Sequence, residues 1–140
     1  MNQRPEDWPD RITAHLTYWR TQPFSWGRGD CVYFASSWLT QLGYREPLAG
    51  LPSWSSPLSA ARVFTKLGGF EHAVQAQMAA LECPEIPLMY AMRGDLAIVW
   101  IDDRKQALGI VNGRGVAVRF SEGGVIEIPY LKNAVRAWKV

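Results

Sequence analysis

Apolar residues in the first 84 positions recur at the three- to four-residue spacing of amphipathic helices. Ile12, Leu16 and Trp19 form one such stripe. Asp, Ser, Pro and Gly residues at the ends of these stretches supply helix caps and breaks, with Asp7, Asp30 and Ser56 as the N-caps. The pattern predicts four helices, over residues 7–20, from about 30 to 43, 57–67 and 70–81.

After Gly94 the apolar period changes from 3.6 to 2, in short runs rich in β-branched residues. Asn112-Gly113 and Gly123-Gly124 are hairpin turn signals, and such short connections make neighbouring strands antiparallel. Five strands are predicted, over residues 96–101, 107–111, 116–120, 125–128 and 135–140. The chain is therefore expected to be one α+β domain over 1–140, with a helical part (1–84) packed on an antiparallel sheet or small barrel of about five strands (94–140).

Composition narrows the possible functions. The chain has 140 residues and a net charge of +2, and its Lys and Arg residues are scattered, so nucleic-acid binding is not expected. No apolar run approaches the ~20 residues that span a bilayer, so membrane insertion is not expected. Acidic residues and a proline near the N-terminus are atypical of a signal peptide, which predicts synthesis in a cytoplasm.

The segment Gly29-Asp30-Cys31 places a cysteine in the first turn of the second predicted helix. The helix dipole stabilises an anion there, and the same geometry lowers a thiol pKa, as cysteine hydrolases require of a nucleophile. The alternative is that Cys31 belongs to the apolar stripe of its helix, as free cysteines often do. The pattern alone leaves both interpretations open.

Three motifs in order resemble the NlpC-type branch of the papain-like cell-wall peptidases. They are the Asp30-Cys31 helix start, Gly94-Asp95-Leu96 at the start of a strand, and the strand Ala107-Leu108-Gly109-Ile110. With its ending over residues 135–140, the chain is also similar to small bacteriophage tail proteins of that fold. The resemblance covers nearly the whole chain and implies an NlpC-like, papain-like fold.

The sequence departs from that family at the catalytic histidine, because the corresponding position in this chain is Ala107. The position of the family's third polar residue lies near Arg119. Alanine cannot accept a proton, and arginine remains protonated. The resemblance therefore implies a non-catalytic structural component of a phage tail tip that contacts other tail-tip proteins. Such a protein would occupy the host cytoplasm during assembly and the virion tail afterwards.

Two other functions remain as alternatives. In one, Cys31 is a live nucleophile of a peptidoglycan endopeptidase or amidase, with His15 or His72 as the base. In the other, the chain is a chaperone or adaptor used only during tail assembly. No cofactor is expected, because the spacings of His15, Cys31, His72 and Cys83 fit no zinc pattern.

Seven tryptophans are many for this length, and Trp is enriched at binding hot spots. Trp54, at the centre of the Pro/Ser-rich stretch 47–57, is one candidate for partner contact; the alternative is that it covers the edge of the core. Trp138 is a second candidate, in a C-terminal strand that either closes the sheet or lies at its edge and pairs with a neighbour.

Overall fold

Four helices precede the sheet in the computed structural model, which describes residues 3–140. All four predicted helices are confirmed, with ends within one or two residues of those expected. They are α1 (Trp8–Arg20), α2 (Cys31–Gln41), α3 (Pro57–Lys66) and α4 (Phe70–Ala80).

Local chemistry explains where these helices begin and end. The Asp30 carboxylate accepts a hydrogen bond from the Tyr33 N–H at the start of α2, and Ser56 forms a capping box with Ser59 at the start of α3. Asp7 occupies the N-cap position of α1 without capping it. Its carboxylate binds the Arg11 guanidinium instead, 2.8 Å away.

The second part of the chain forms one antiparallel sheet, so the fold class is α+β. The strands are β1 (Glu85–Ile86), β2 (Leu96–Trp100), β3 (Gln106–Asn112), β4 (Gly115–Arg119), β5 (Val125–Pro129) and β6 (Ala134–Trp138). The five predicted strands are confirmed. The two-residue β1, a 3-10 turn at Leu88–Tyr90 and the four-residue α5 (Tyr130–Asn133) are too short to produce a periodic signal, and the sequence analysis missed them.

The sheet is open rather than closed into a barrel, with the order β1-β6-β2-β3-β4-β5. β6 lies inside it, and Trp138 is paired with Glu85 of β1 on one side and Leu96 of β2 on the other. The C-terminal strand therefore completes the sheet, and its predicted alternative place at an exposed edge is wrong.

The two faces of the sheet are covered differently. One face packs against α1, α2 and α4. Most of the large core residues lie in this interface, including Trp38 of α2 and Trp138 of β6. The other face is a cluster of small residues, mainly Ala and Val, covered by Tyr130 of α5 and by the chain around Ile86 and Ala91. A third cluster joins α3 and the loop before it to α2. The second face thus has a much thinner cover.

Gly109 in β3 is required by the close approach of β4. A Cβ at this position would lie 2.5 Å from the Ala117 carbonyl oxygen and 2.6 Å from a methyl group each of Val116 and Val118. The glycine of the Leu108-Gly109-Ile110 segment therefore serves strand packing.

Asp95, which opens β2, connects the two ends of the described chain. Its Oδ1 accepts hydrogen bonds from Arg4, 2.7 Å away, and from the Val140 N–H, while Oδ2 accepts one from the Met92 N–H. Arg4 also donates to the backbone carbonyls of Arg93 and Val140. The Gly-Asp motif at the start of this strand therefore has a structural role.

Candidate functional site

Cys31 lies at the N-terminus of α2, half-buried where that helix meets β3. Its side chain packs against the small-residue cluster that contains Ala107 and against the α3 cluster that contains Trp54. The backbone of Leu108 hydrogen-bonds the thiol. The structure therefore brings Cys31 to the start of β3, beside Ala107, where the resemblance to the NlpC-type peptidases would place a histidine.

The surroundings of the Cys31 thiol disfavour the thiolate. Burial, with a smaller contribution from the neighbouring Asp30 carboxylate, raises its pKa from 9.0 to about 11. Backbone hydrogen bonds at the helix start, from Val32 and Cys31 itself, act in the opposite direction. Desolvation exceeds this helix-terminus effect, so the lowered pKa that the dipole argument favoured is not found.

Asp30 organises the loop before the cysteine. Its Oδ1 accepts from the Tyr33 N–H at 2.9 Å, and its Oδ2 accepts from the Gly27 N–H and the Trp54 indole N–H, both at 2.6 Å. Gly27 is essential to this arrangement, because its φ is +84° and a Cβ there would lie 1.9 Å from the Trp54 carbonyl oxygen. Asp30 thus fixes the cysteine loop and draws Trp54 inward.

Arg119, at the end of β4, holds the same loop from the other side. Its guanidinium donates only to backbone carbonyl oxygens, at 2.7–3.0 Å, and its side chain is buried. The acceptors are Trp19, Gln22, Pro23, Gly29 and Gly124. Burial lowers the pKa of Arg119, and the nearby Asp30 carboxylate partly offsets that shift. The residue near the family's third polar position is therefore a structural clamp on the segment that ends at Cys31.

Ala107 is buried in β3 and can neither accept nor donate a proton through its side chain. Gln106, beside it, donates to the Glu71 carboxylate at 2.9 Å. Within residues 3–140, no described contact joins the Cys31 thiol to a histidine or to another side chain that could serve as its base. The position that the resemblance identifies as degenerate therefore has no substitute close by.

His15 is committed to the helix interface. It is 5% exposed, its Nε2 lies 3.1 Å from the Phe34 carbonyl oxygen, and its ring stacks on Phe34 with centroids 5.3 Å apart. Burial lowers its pKa to about 4, so it is neutral near pH 7. It belongs to the aromatic cluster of α1 and α2 rather than to the apolar clusters that Cys31 contacts.

His72 is exposed at the start of α4, where its ring lies against Gly68. It lines a shallow surface groove with Gln106 and Arg136. Cys31 does not line this groove, so the structure brings neither candidate base to the thiol in the described part of the chain.

Trp54 and Trp138 are 7% and 1% exposed, and their assignment to partner contact is therefore corrected. The indole N–H of Trp54 donates to Asp30, while Trp138 is in the core beneath the helices. Hydrogen bonding and burial account for both residues, so neither is available as a surface anchor.

A different apolar surface is exposed on the other side of the sheet. The 3-10 turn and the segment after it present Met89 and Met92, 79% and 64% exposed, and α5 presents Leu131, 93% exposed. The Tyr130 hydroxyl donates to the Leu88 carbonyl, which ties the turn to α5. We call this surface the 88–92/131 patch: Leu88, Met89, Tyr90, Met92 and Leu131.

The sequence analysis missed this patch. Its signal is the run Leu88-Met89-Tyr90-Ala91-Met92, an apolar stretch between Pro87 and Gly94 in which no helix or strand is predicted. Large apolar residues in such a loop are buried only if the fold covers them, and contiguous exposed ones mark interaction sites. The side of the sheet on which the run lies could not be read from the sequence.

The high pKa of Cys31 gives a direct prediction for its reactivity. At pH 8 only about one thiol in a thousand is ionised when the pKa is about 11, so alkylation of the Cys83→Ala variant is expected to be slow. The rate is expected to rise about tenfold per pH unit up to about pH 10. The measurement is the rate of iodoacetamide modification against pH, followed by mass spectrometry. The same variant unfolded in urea is the control, with a midpoint near 9.

Fast modification of the folded protein at pH 6 would contradict this prediction and show a thiolate stabilised by its surroundings. That result would favour the enzymatic alternative for Cys31.

Two structural findings concern other classes of site. Among residues 3–140, no three His, Cys, Asp or Glu side chains lie together in a way that could hold a metal ion. No helix in the same range has the length and apolar character needed to cross a membrane.

Comparison with known proteins identifies one family. A domain of unknown function, DUF6950, matches residues 3–140. No curated protein matches the sequence. Because the match extends over nearly the whole chain, the protein belongs to the DUF6950 family.

Proposed function

We propose that the protein is a non-catalytic structural component of a bacteriophage tail tip that binds neighbouring tail-tip proteins. The phage assignment derives from the resemblance in the order of the Asp30-Cys31, Gly94-Asp95 and Gly109-Ile110 motifs. The observation that carries the binding function is the exposed 88–92/131 patch, which lies on the thinly covered face of the sheet.

The state of the cysteine site supports a non-catalytic function. A papain-like mechanism needs a thiolate and a base within hydrogen-bonding reach of it. Here burial raises the pKa of Cys31, Ala107 occupies the histidine position, and Asp30 and Arg119 are fully engaged in fixing the loop. In this chain the side chains of Asp30 and Arg119 therefore stabilise the loop before Cys31.

The side chains in and around the 88–92/131 patch indicate the chemistry of its partner. The partner would present an apolar surface with acidic residues around it. Methionine and leucine side chains adapt their shape to a partner and contribute apolar area. Lys132 of α5 is exposed, and so is Arg114, whose carbonyl accepts from the Tyr130 N–H. These cations complement an acidic rim, which would orient the partner and speed its association.

Complementation in a phage that encodes this chain tests the proposal. We expect deletion of the gene to prevent normal tail assembly and wild-type protein to restore it. The double variant Met89→Ser/Leu131→Ser is expected to lower the yield of infectious particles at least about tenfold, because each lost apolar anchor weakens the interface. The matched control is Leu58→Ser, which changes a leucine on α3 that is 60% exposed. Thermal unfolding of each purified variant verifies that it is folded.

Cys31→Ala separates the proposal from its alternatives. A structural component tolerates this substitution, and the chain is then detected in purified virions by mass spectrometry. Loss of infectivity with a folded Cys31→Ala protein would favour the peptidase. A chain that assembly requires but finished particles lack would be an assembly chaperone or adaptor. Normal tails in the absence of the gene would refute all tail functions.

A further inference from the structure

A groove of about 610 Å³ lies between α1, the loop before α2 and α2 itself. It is separate from both the Cys31 thiol and the 88–92/131 patch. Polar side chains that make no described hydrogen bond within the chain converge on it, namely Gln22, Ser25, Arg28 and Gln41. A groove with several uncommitted polar groups on a rigid helical frame is typical of a small-ligand site.

The floor of the groove includes the buried ring of His15. Its Nε2 faces the Phe34 carbonyl oxygen, which only accepts, so Nε2 carries the ring proton. Nδ1 is then an acceptor, and the described residues provide no donor for it. This atom can accept a hydrogen bond from a hydroxyl group of a ligand.

Aromatic rings form the walls. Tyr18 and Tyr33 are 58% and 37% exposed, and each contacts Trp19 edge to face, with centroids 5.4 and 6.0 Å apart. Trp19 fixes the orientation of both rings while their remaining surface faces the groove. Such rings, apolar in body and polar at the tip, suit a ligand that has an apolar ring face and also bears hydroxyl groups.

The charge of the groove is positive. Arg11 and Arg28 line it, and no Asp or Glu does. Arg11 is held by the Asp7 carboxylate and the Gln41 carbonyl oxygen. Arg28 is exposed and forms no ion pair with any residue in 3–140, so its planar guanidinium is available for a bidentate carboxylate.

We propose that this groove binds an acidic saccharide, in which a hydroxyl-bearing pyranose ring carries a carboxylate. The ring packs on the tyrosine side chains that line the groove, one hydroxyl donates to His15 Nδ1, and the carboxylate pairs with Arg28. A phosphate ligand fits less well, because Asp30 already occupies the amides at the start of α2 and its negative charge would repel a dianion.

Calorimetric titration of the full chain tests the proposal. The probes are tri-galacturonate, a glucuronate-containing tetrasaccharide and sialyllactose, with maltotriose as the neutral saccharide and uridine monophosphate as the nucleotide. We expect saturable binding of at least one acidic saccharide, weakened by salt, and binding of maltotriose at least about tenfold weaker.

Single substitutions test which side chains contact the saccharide. Arg28→Ala and Tyr33→Ala are each expected to weaken binding of the acidic saccharide about tenfold. The matched controls, Arg62→Ala and Trp100→Ala, remove an exposed arginine and an exposed aromatic residue elsewhere and are expected to leave it unchanged. The proposal is overturned if no acidic saccharide binds below about 10 mM, if maltotriose binds equally well, or if Arg28→Ala has no effect. Tighter binding of uridine monophosphate would assign the groove to nucleotides instead.

Discussion

Replacing Arg119 with methionine is expected to lower the free energy of unfolding by about 3–4 kcal/mol. The substitution keeps most of the apolar stem but removes every hydrogen bond to the carbonyl oxygens of Trp19, Gly29 and the loop between them. Buried carbonyls that lose a charged donor are costly, and the guanidinium acts on several at once. Thermal unfolding monitored by circular dichroism should show a midpoint about 10 °C lower.

The control for this variant is Arg62→Met, which removes an exposed arginine on α3 and is expected to change stability by less than about 0.5 kcal/mol. Arg119→Lys is expected to be intermediate, because an ammonium group has three donors and no planar fork. An Arg119→Met protein within about 1 kcal/mol of the wild type would show that the loop finds other partners and that Arg119 is not its clamp.

Asp30→Asn is expected to destabilise the fold by about 2–3 kcal/mol and to lower the pKa of Cys31. Oδ2 of Asp30 accepts from both Gly27 and Trp54, and Oδ1 accepts from the Tyr33 N–H. Whichever way the amide is turned, its nitrogen faces a buried N–H that then has no acceptor. The negative charge that raises the pKa of the neighbouring thiol is removed as well.

Two measurements check this variant: urea unfolding for stability, and alkylation against pH in the Cys83→Ala background for the thiol. Asp103→Asn, an exposed aspartate in the turn after β2, is the matched control and should alter neither. If Asp30→Asn unfolds like the wild type, the N-cap and the Trp54 hydrogen bond are dispensable. If stability falls but the Cys31 titration is unchanged, Asp30 acts on the loop without acting on the thiol.

Periodicity and capping residues in the sequence were enough to predict the main elements. The Ile12, Leu16, Trp19 stripe and the Ser56 N-cap are local signals, each contained within a few residues, and they placed α1 and α3 correctly. The change of period after Gly94 predicted the strands in the same way, and the short turns between them predicted that they are antiparallel. Elements of two to four residues, such as β1 and α5, have no period and were missed.

The candidate site was predictable in part. The sequence placed Cys31 at a helix start and Ala107 on a facing strand, and the structure brings these positions together. It could not predict the sign of the thiol pKa shift. A helix N-terminus lowers a thiol pKa, whereas burial raises it, and how deeply the thiol is buried depends on β3 and α3, which are distant in the chain.

The exposure of individual side chains could not be predicted from the sequence either. Trp54 in a Pro/Ser-rich loop has the composition of a surface anchor, yet a hydrogen bond to Asp30, 24 positions away, draws it into the interior. Met89 and Leu131 are of residue types that are usually buried, yet both are exposed. Burial is a property of the whole assembly of elements, so the sequence left both positions of Trp54 open and gave no prediction for Met89 or Leu131.

By itself the sequence determined what depends on neighbours within a few positions: the four long helices and their caps, and the antiparallel strands with their short turns. Tertiary structure alone decided the contacts between distant segments: the Arg119 clamp across 90–100 positions, the position of β6 inside the sheet, and the exposure of the 88–92/131 patch. The reason is physical. Local hydrogen bonds and side-chain periodicity set the conformation of short segments, whereas desolvation and long-range hydrogen bonds depend on which surfaces the folded chain brings together.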